Sequence, residues 1–93
     1  MGRYLTQSTY IPVGGLDAIL RAAGAAIDAA TAVVSGESKL AYSLMRPPAH
    51  HAQPDTADGY CFANSCALAA LEARKRGARR VALVDWDVHH GNG

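Results

Sequence analysis

Charge of one sign is what this sequence lacks most visibly. Nine Lys and Arg stand against eight Asp and Glu, a formal net charge of +1 with histidine neutral. That balance excludes the strongly basic footprint of a dedicated nucleic-acid binder. It equally excludes an acidic disordered tail. Cysteine is scarce: Cys61 and Cys66 are the only two, and their spacing fits no metal knuckle. With no secretory hydrophobic segment, reduced thiols in a cytoplasm are expected rather than a disulfide scaffold. Long apolar runs are missing too. The Ala/Gly-rich stretch 14–34 is broken by Asp17, Arg21 and Asp28, so no membrane span is expected there.

Large apolar side chains are few. The hydrophobic fraction is 49% of 93 residues, but 19 of these residues are alanine, and Val, Ile, Leu, Met and Phe together number 20. A chain of this size buries roughly 65% of its unfolded surface, and twenty large side chains make a thin core for that. The expectation is one small domain or an interior piece of a larger one, its oligomeric state open.

The chain reads as two helices alternating with two strands. Residues 1–15, with Thr, Tyr, Pro and three glycines, form an irregular or extended lead-in. From Leu16 the positions Ile19, Leu20, Ala23, Ile27, Ala30 and Val34 recur at three- and four-residue steps, one stripe of an amphipathic helix rich in alanine, with Gly36 as its stop. Lys39–Met45 is a short apolar run that Arg46-Pro47-Pro48 closes, read as a buried strand entering a stiff loop. A second helix is expected from Asn64 to Arg76, ending at Gly77. Its Arg74, Lys75 and Arg76 read as a solvated face near the helix C-terminus, and Cys66 with the alanines after it as core. Val81–Val84 has the continuous apolar character of a central parallel strand. Strand, helix, strand in this order points to α/β architecture with a parallel sheet and a right-handed crossover, whose sites lie at the C-terminal ends of the strands.

All four histidines fall in two adjacent pairs, His50-His51 and His89-His90, each just after an expected strand. Side chains alternate along a strand, so Leu83, Asp85, Asp87 and His89 share one face. Val84, Trp86 and Val88 take the other, with Trp86 expected in the core. Paired carboxylates at a sheet edge are costly unless compensated, and a cation is a common remedy. Asp87 and His89 offer one oxygen and one nitrogen to a divalent metal such as zinc. The glycines at 91 and 93 read as a tight turn where a ligand can approach the backbone.

Three ordered segments, Arg46-Pro-Pro-Ala-His-His-Ala-Gln-Pro-Asp55, Gly59-Tyr-Cys-Phe62 and Val84-Asp-Trp-Asp-Val-His-His-Gly-Asn-Gly93, resemble the histone deacetylase family. The similarity is greatest to its class II branch and to the bacterial deacetylase-like and acetylpolyamine amidohydrolase relatives. The resemblance implies the arginase/deacetylase α/β fold and zinc-dependent hydrolysis of an acetamide, acetyl-lysine or acetylpolyamine in type. It implies Asp87 and His89 as two of three protein zinc ligands, and His50 and His51 as the paired catalytic histidines. Asp85 orients the first of these, and Asn92 stands where some members carry a second orienting aspartate. Gly59 and Tyr60 match the wall of the acyl-lysine tunnel. The backbone of Asp85, Asp87 and His89 matches part of a structural potassium site. His51 is then the expected general base, and His50 the electrostatic stabiliser that aids departure of the amine.

Two residues depart from the family pattern: Ala49 stands where glycine usually precedes His-His, and Tyr60 where phenylalanine is more common. The resemblance also puts the third zinc ligand, an aspartate, and a carbonyl-polarising tyrosine beyond residue 93. Residues 1–93 are therefore expected to be a partial deacetylase domain. The alternative reading is a catalytically inactive piece that packs or binds partners. An arginase-like dimanganese enzyme requires Asp-x-His-x-Asp, and Gly91 occupies the last of those positions.

Overall fold

The computed structural model describes residues 2–7 and 9–93. Four elements follow in the order β1 (Arg3–Tyr4), β2 (Tyr10–Ile11), α1 (Gly15–Val34) and α2 (Ser65–Lys75). The lead-in is more ordered than its composition suggests, Met1 and Ser8 lying outside the described residues. β1 and β2 pair antiparallel, Arg3 opposite Ile11 and Tyr4 opposite Tyr10, and the two tyrosine rings stand 5.0 Å apart. The Leu5 N–H donates to the Thr9 carbonyl at 2.7 Å. Thr9 itself is fully buried.

α1 starts after Gly14, where the Gly15 N–H donates to the Pro12 carbonyl at 2.9 Å. It ends as its sequence requires, with Gly36 in the left-handed region at φ 80° and its N–H on the Val33 carbonyl; that conformation carries no Cβ penalty in glycine. The expected stripe is buried only in part. Ile19, Ala22 and Ala23 are covered, whereas Leu16 and Leu20 are exposed. α2 starts at a side-chain cap: Asn64 Oδ1 accepts the Ala67 N–H at 3.1 Å, which satisfies one of the first-turn donors. It closes with Arg76 capping and Gly77 beyond. On its outer face Arg76 pairs with Glu72 at 2.8 Å, one turn apart.

The helices pack against each other through small side chains. Ala26, Ala30 and Val33 of α1 face Ala69, Ala70 and Ala73 of α2, bordering a cavity of about 500 Å³. Its remaining wall comes from Ala41, Ser43, Val81 and Leu83. Neither run is buried as expected: Leu40, Tyr42, Leu44, Val84 and Trp86 are exposed, and Leu83 is exposed although it borders the cavity.

The parallel sheet itself is not formed. Among the described residues, 39–45 and 81–88 make no strand pairing, and the one sheet is antiparallel β1–β2. An apolar run supplies the preference for extended backbone, but a strand exists only when a neighbour accepts its N–H groups, and no described segment lies in that position. The same lack of a neighbour corrects Trp86, read as core and in fact 92% exposed. Cys66, also read as core, is exposed, although it borders the same cavity as Ala69, Ala70 and Ala73.

Candidate active site

The loop between Met45 and α2 is held by local hydrogen bonds that turn His50 and His51 toward the end of the second apolar run. The Ala52 N–H donates to the Ala49 carbonyl at 3.0 Å, and the Gln53 N–H to the Thr56 carbonyl at 3.0 Å. Asp58 and Cys61 exchange both backbone hydrogen bonds, at 3.0 and 2.7 Å, which folds Gly59 and Tyr60 into a tight turn. Tyr60 has φ 66°, an uncommon state for a residue with a bulky side chain. Its N–H is taken up at 3.4 Å by the buried hydroxyl of Thr9.

Each histidine of the pair is tied through Nδ1 to its own partner from far along the chain. His50 Nδ1 donates to Asp85 Oδ2 at 2.8 Å, since a carboxylate can only accept. His51 Nδ1 lies 2.7 Å from Asn92 Oδ1, an acceptor, so Nδ1 carries the proton and Nε2 keeps a free lone pair in the neutral ring. The two rings stack at 4.2 Å, tilted by 45°. His89 completes the row, its ring 6.4 Å from that of His51. His50, His51, Asp85, Asp87, His89 and Asn92, all singled out from the sequence, therefore meet in one place. His90 is exposed. A cavity of about 490 Å³ opens beside them, walled by Pro48, His50, Leu83, Asp85, Asp87 and Gly91.

Gly59 and Tyr60 sit next to this row. Gly59 packs against the His51 ring so closely that a Cβ there would stand 2.8 Å from the ring Cγ. The Tyr60 side chain is exposed and borders a second cavity with Arg46, Pro47 and Phe62.

The carboxylates are kept ionised. Asp85 is held below the ordinary carboxylate range first by the hydrogen bond from His50, then by the Asp87 N–H on its Oδ1 at 3.1 Å. Asp87 is lowered first by the His89 N–H, which donates to its Oδ1 at 2.8 Å. Behind them Cys61 is fully buried. Burial pushes its thiol up, against the opposing backbone groups of His51 and Ala52.

Asp87 Oδ1 and His89 Nδ1 lie 3.1 Å apart. Two ligands on a tetrahedral zinc, each at about 2.0–2.1 Å, stand about 3.3 Å from one another. With Nδ1 protonated the distance serves a hydrogen bond; unprotonated, it suits two corners of a zinc shell. Asp87 Oδ2 points toward His50 Nε2, 3.9 Å away. The donor set of oxygen plus imidazole nitrogen thus fits zinc at two positions. No group of three or more His, Cys, Asp or Glu that could hold a metal occurs among the described residues.

Two contributions escaped the sequence reading. Thr9 lies 51 positions from Tyr60 and carried no local signal. Asn64 was read only as the start of a helix, yet its Nδ2 also donates to the Ala52 carbonyl at 3.4 Å, tying α2 to the histidine loop.

Residues 2–93 match the histone deacetylase domain family, and the chain belongs to it. It is 50% identical to the histone deacetylase-like amidohydrolase of Pseudomonas aeruginosa, over 99% of this chain and 24% of that protein. It is 45% identical to a probable deacetylase of Archaeoglobus fulgidus, over 99% of the chain and 26% of the relative. With the acetylpolyamine amidohydrolase of Mycoplana ramosa the identity is 46%, over 91% of the chain and 25% of the relative. The chain therefore spans about a quarter of the length of these relatives. Among solved structures, the crystal structure of the HDA15 HD domain superimposes with a TM-score of 0.97 at 46% identity, over 99% of this chain and 26% of that one. The fold is that of the matching part of a histone deacetylase domain.

Proposed function

We propose that this chain carries the two-histidine half of the catalytic centre of a zinc-dependent deacetylase that hydrolyses an acetamide. The substrate is an acetylated amine, either acetyl-lysine or an acetylpolyamine, the class shared by the names of its relatives. The observation that supports it most is the pair of imidazoles 4.2 Å apart, each fixed at Nδ1 by a different partner, beside Asp87 and His89.

Zinc held by Asp87 and His89, together with a third ligand from elsewhere in the domain, would supply Lewis-acid polarisation of the amide carbonyl. His51, with Nδ1–H on Asn92, presents Nε2 to take the proton from the attacking water. His50, with Nδ1–H on the Asp85 carboxylate, holds positive charge against the developing oxyanion and passes a proton to the departing amine. Water adds to the carbonyl carbon, the C–N bond breaks, and acetate and free amine leave. General acid–base help of this kind is worth about 10²–10⁴-fold. The potassium ion expected at the backbone of Asp85, Asp87 and His89 belongs to the same reading. So does a reducing cytoplasm, which the free thiols of Cys61 and Cys66 suit. No helix among the described residues is long and apolar enough to cross a membrane.

The test is metal content and turnover of an acetyl-lysine and an acetylpolyamine substrate by the full-length protein. About one zinc per chain is expected, lost in Asp87→Ala. The His51→Ala variant should keep its zinc but lose about 10²-fold or more in kcat. A folded protein with neither zinc nor turnover would refute the proposal.

A further inference from the structure

The loop 91–93 lies against the histidine pair on two fastenings. The Gly93 N–H donates to the His50 carbonyl at 2.9 Å, and Asn92 Oδ1 meets His51 Nδ1 at 2.7 Å. Gly91 sits at the entrance to this fastened stretch, with its α-carbon facing the His50–Asp85 pair. A Cβ at position 91 would overlap Asp85 Oδ2 outright and stand 3.1 Å from His50 Nδ1 and 3.3 Å from His50 Cβ. The space beside its α-carbon is already taken by the hydrogen bond between those two side chains.

Backbone conformation is not what demands glycine here. Gly14, Gly36, Gly59 and Gly77 have positive φ, and Gly91 does not. The sequence reading of a turn that admits a ligand to the backbone is therefore replaced by another: the approach is made by Asp85 and His50. The loop cannot retreat to admit a methyl group without breaking the Gly93–His50 bond or the Asn92–His51 bond. Either the loop moves or the Asp85–His50 hydrogen bond opens.

We propose that Gly91 is a positioning residue for the His50–Asp85 pair, acting by the absence of a side chain. The inference rests on the deacetylase reading for its effect on rate, but its structural content concerns only this chain's own atoms. Alanine at 91 displaces Asp85 Oδ2 from His50 Nδ1, which frees the imidazole to change tautomer and tilt. Substrate binding, which does not use this contact, is left nearly intact.

Two measurements on the full-length protein test it. The first is the ring nitrogen shifts of His50, read through its non-exchanging ring protons in metal-free protein at neutral pH. Nδ1 should be protonated in the wild type and shift toward the solution-like mixture in Gly91→Ala, while His51 keeps its pattern. An unchanged His50 spectrum in Gly91→Ala overturns the proposal whether or not the protein has any activity. The second is a double-mutant cycle in kcat with Asp85→Ala. Gly91→Ala alone should lower kcat by about 10²-fold with KM within twofold, and should cost nothing further once Asp85 is already alanine. Equal losses in both backgrounds overturn it. Should Gly91→Ala fail to fold, the variant Asp85→Ala/Gly91→Ala, in which the space is vacated, must fold; its failure to do so also overturns the proposal. Absence of turnover in the wild type sinks the deacetylase reading alone and leaves the spectrum to decide on Gly91.

Discussion

Cys61 and Cys66 show how differently two like residues can be placed within five positions. Cys61 is fully buried behind the histidine loop, whereas Cys66 in the first turn of α2 is exposed. Burial raises the Cys61 thiol, so its folded form holds its proton to higher pH than the unfolded chain does. The stabilisation this gives is complete below the ordinary thiol value of about 8.5 and fades as pH rises through the folded value. Because the thiolate is the reactive form, alkylation of the native protein at pH 7.5 should modify Cys66 and spare Cys61. Denaturant should expose both, and mass spectrometry of the two digests reads the difference. Rapid native modification of Cys61 would show that the thiol is not enclosed. At this scale the sequence identified the histidines and carboxylates by type and spacing. For Cys61 it left two readings open, a tunnel-wall position implied by the resemblance and a buried small hydrophobe; the residue is buried, by segments brought together only by folding.

The helices were the most legible elements. Both ends of α2 were readable because caps and stops are local: Asn64 reaches three residues ahead to the Ala67 N–H, and Gly77 adopts φ 109° directly after Arg76. Asn64→Ala should therefore cost about 1 kcal/mol from the lost cap, seen as a lower midpoint in chemical denaturation. The same substitution removes the Asn64–Ala52 contact, so the loop amides of 50–53 should exchange with solvent faster. A denaturation midpoint equal to the wild type would remove Asn64 from the account. The strands were legible only as apolar runs. Ala41, Ser43, Val81 and Leu83 border the cavity beside the helices, but pairing is a property of two segments, and one segment's pattern cannot supply its partner.

Taken whole, the molecule leaves a row of large apolar side chains in water: Leu40, Tyr42 and Leu44 from one run, Val84, Trp86 and Val88 from the other. Among the described residues the buried apolar side chains are few and small, Ile19 being the largest with Ala22, Ala23, Ala52, Cys61 and Ala73. A patch of this kind marks a surface normally covered, and so thin a core cannot balance the conformational entropy of folding unaided. The 93-residue chain by itself should show a broad thermal transition, Trp86 emission typical of solvent exposure, and no acetyl-lysine turnover. Calorimetry, fluorescence and a deacetylation assay check the three. A sharp cooperative transition together with measurable turnover would contradict this.

The sequence by itself determined what depends on near neighbours: two helices with their caps and stops, apolar runs, two adjacent histidine pairs, and carboxylates two positions apart. Residues a few places apart are held in register by the backbone period alone, so such features survive without knowledge of the fold. Tertiary structure alone decided which nitrogen meets which oxygen, since His50 and Asp85 are separated by 35 positions and His51 and Asn92 by 41. It also decided that Gly91 must be bare and that Thr9 supports Tyr60. These depend on where distant segments come to rest within a few tenths of an ångström, a matter of packing that no local pattern encodes.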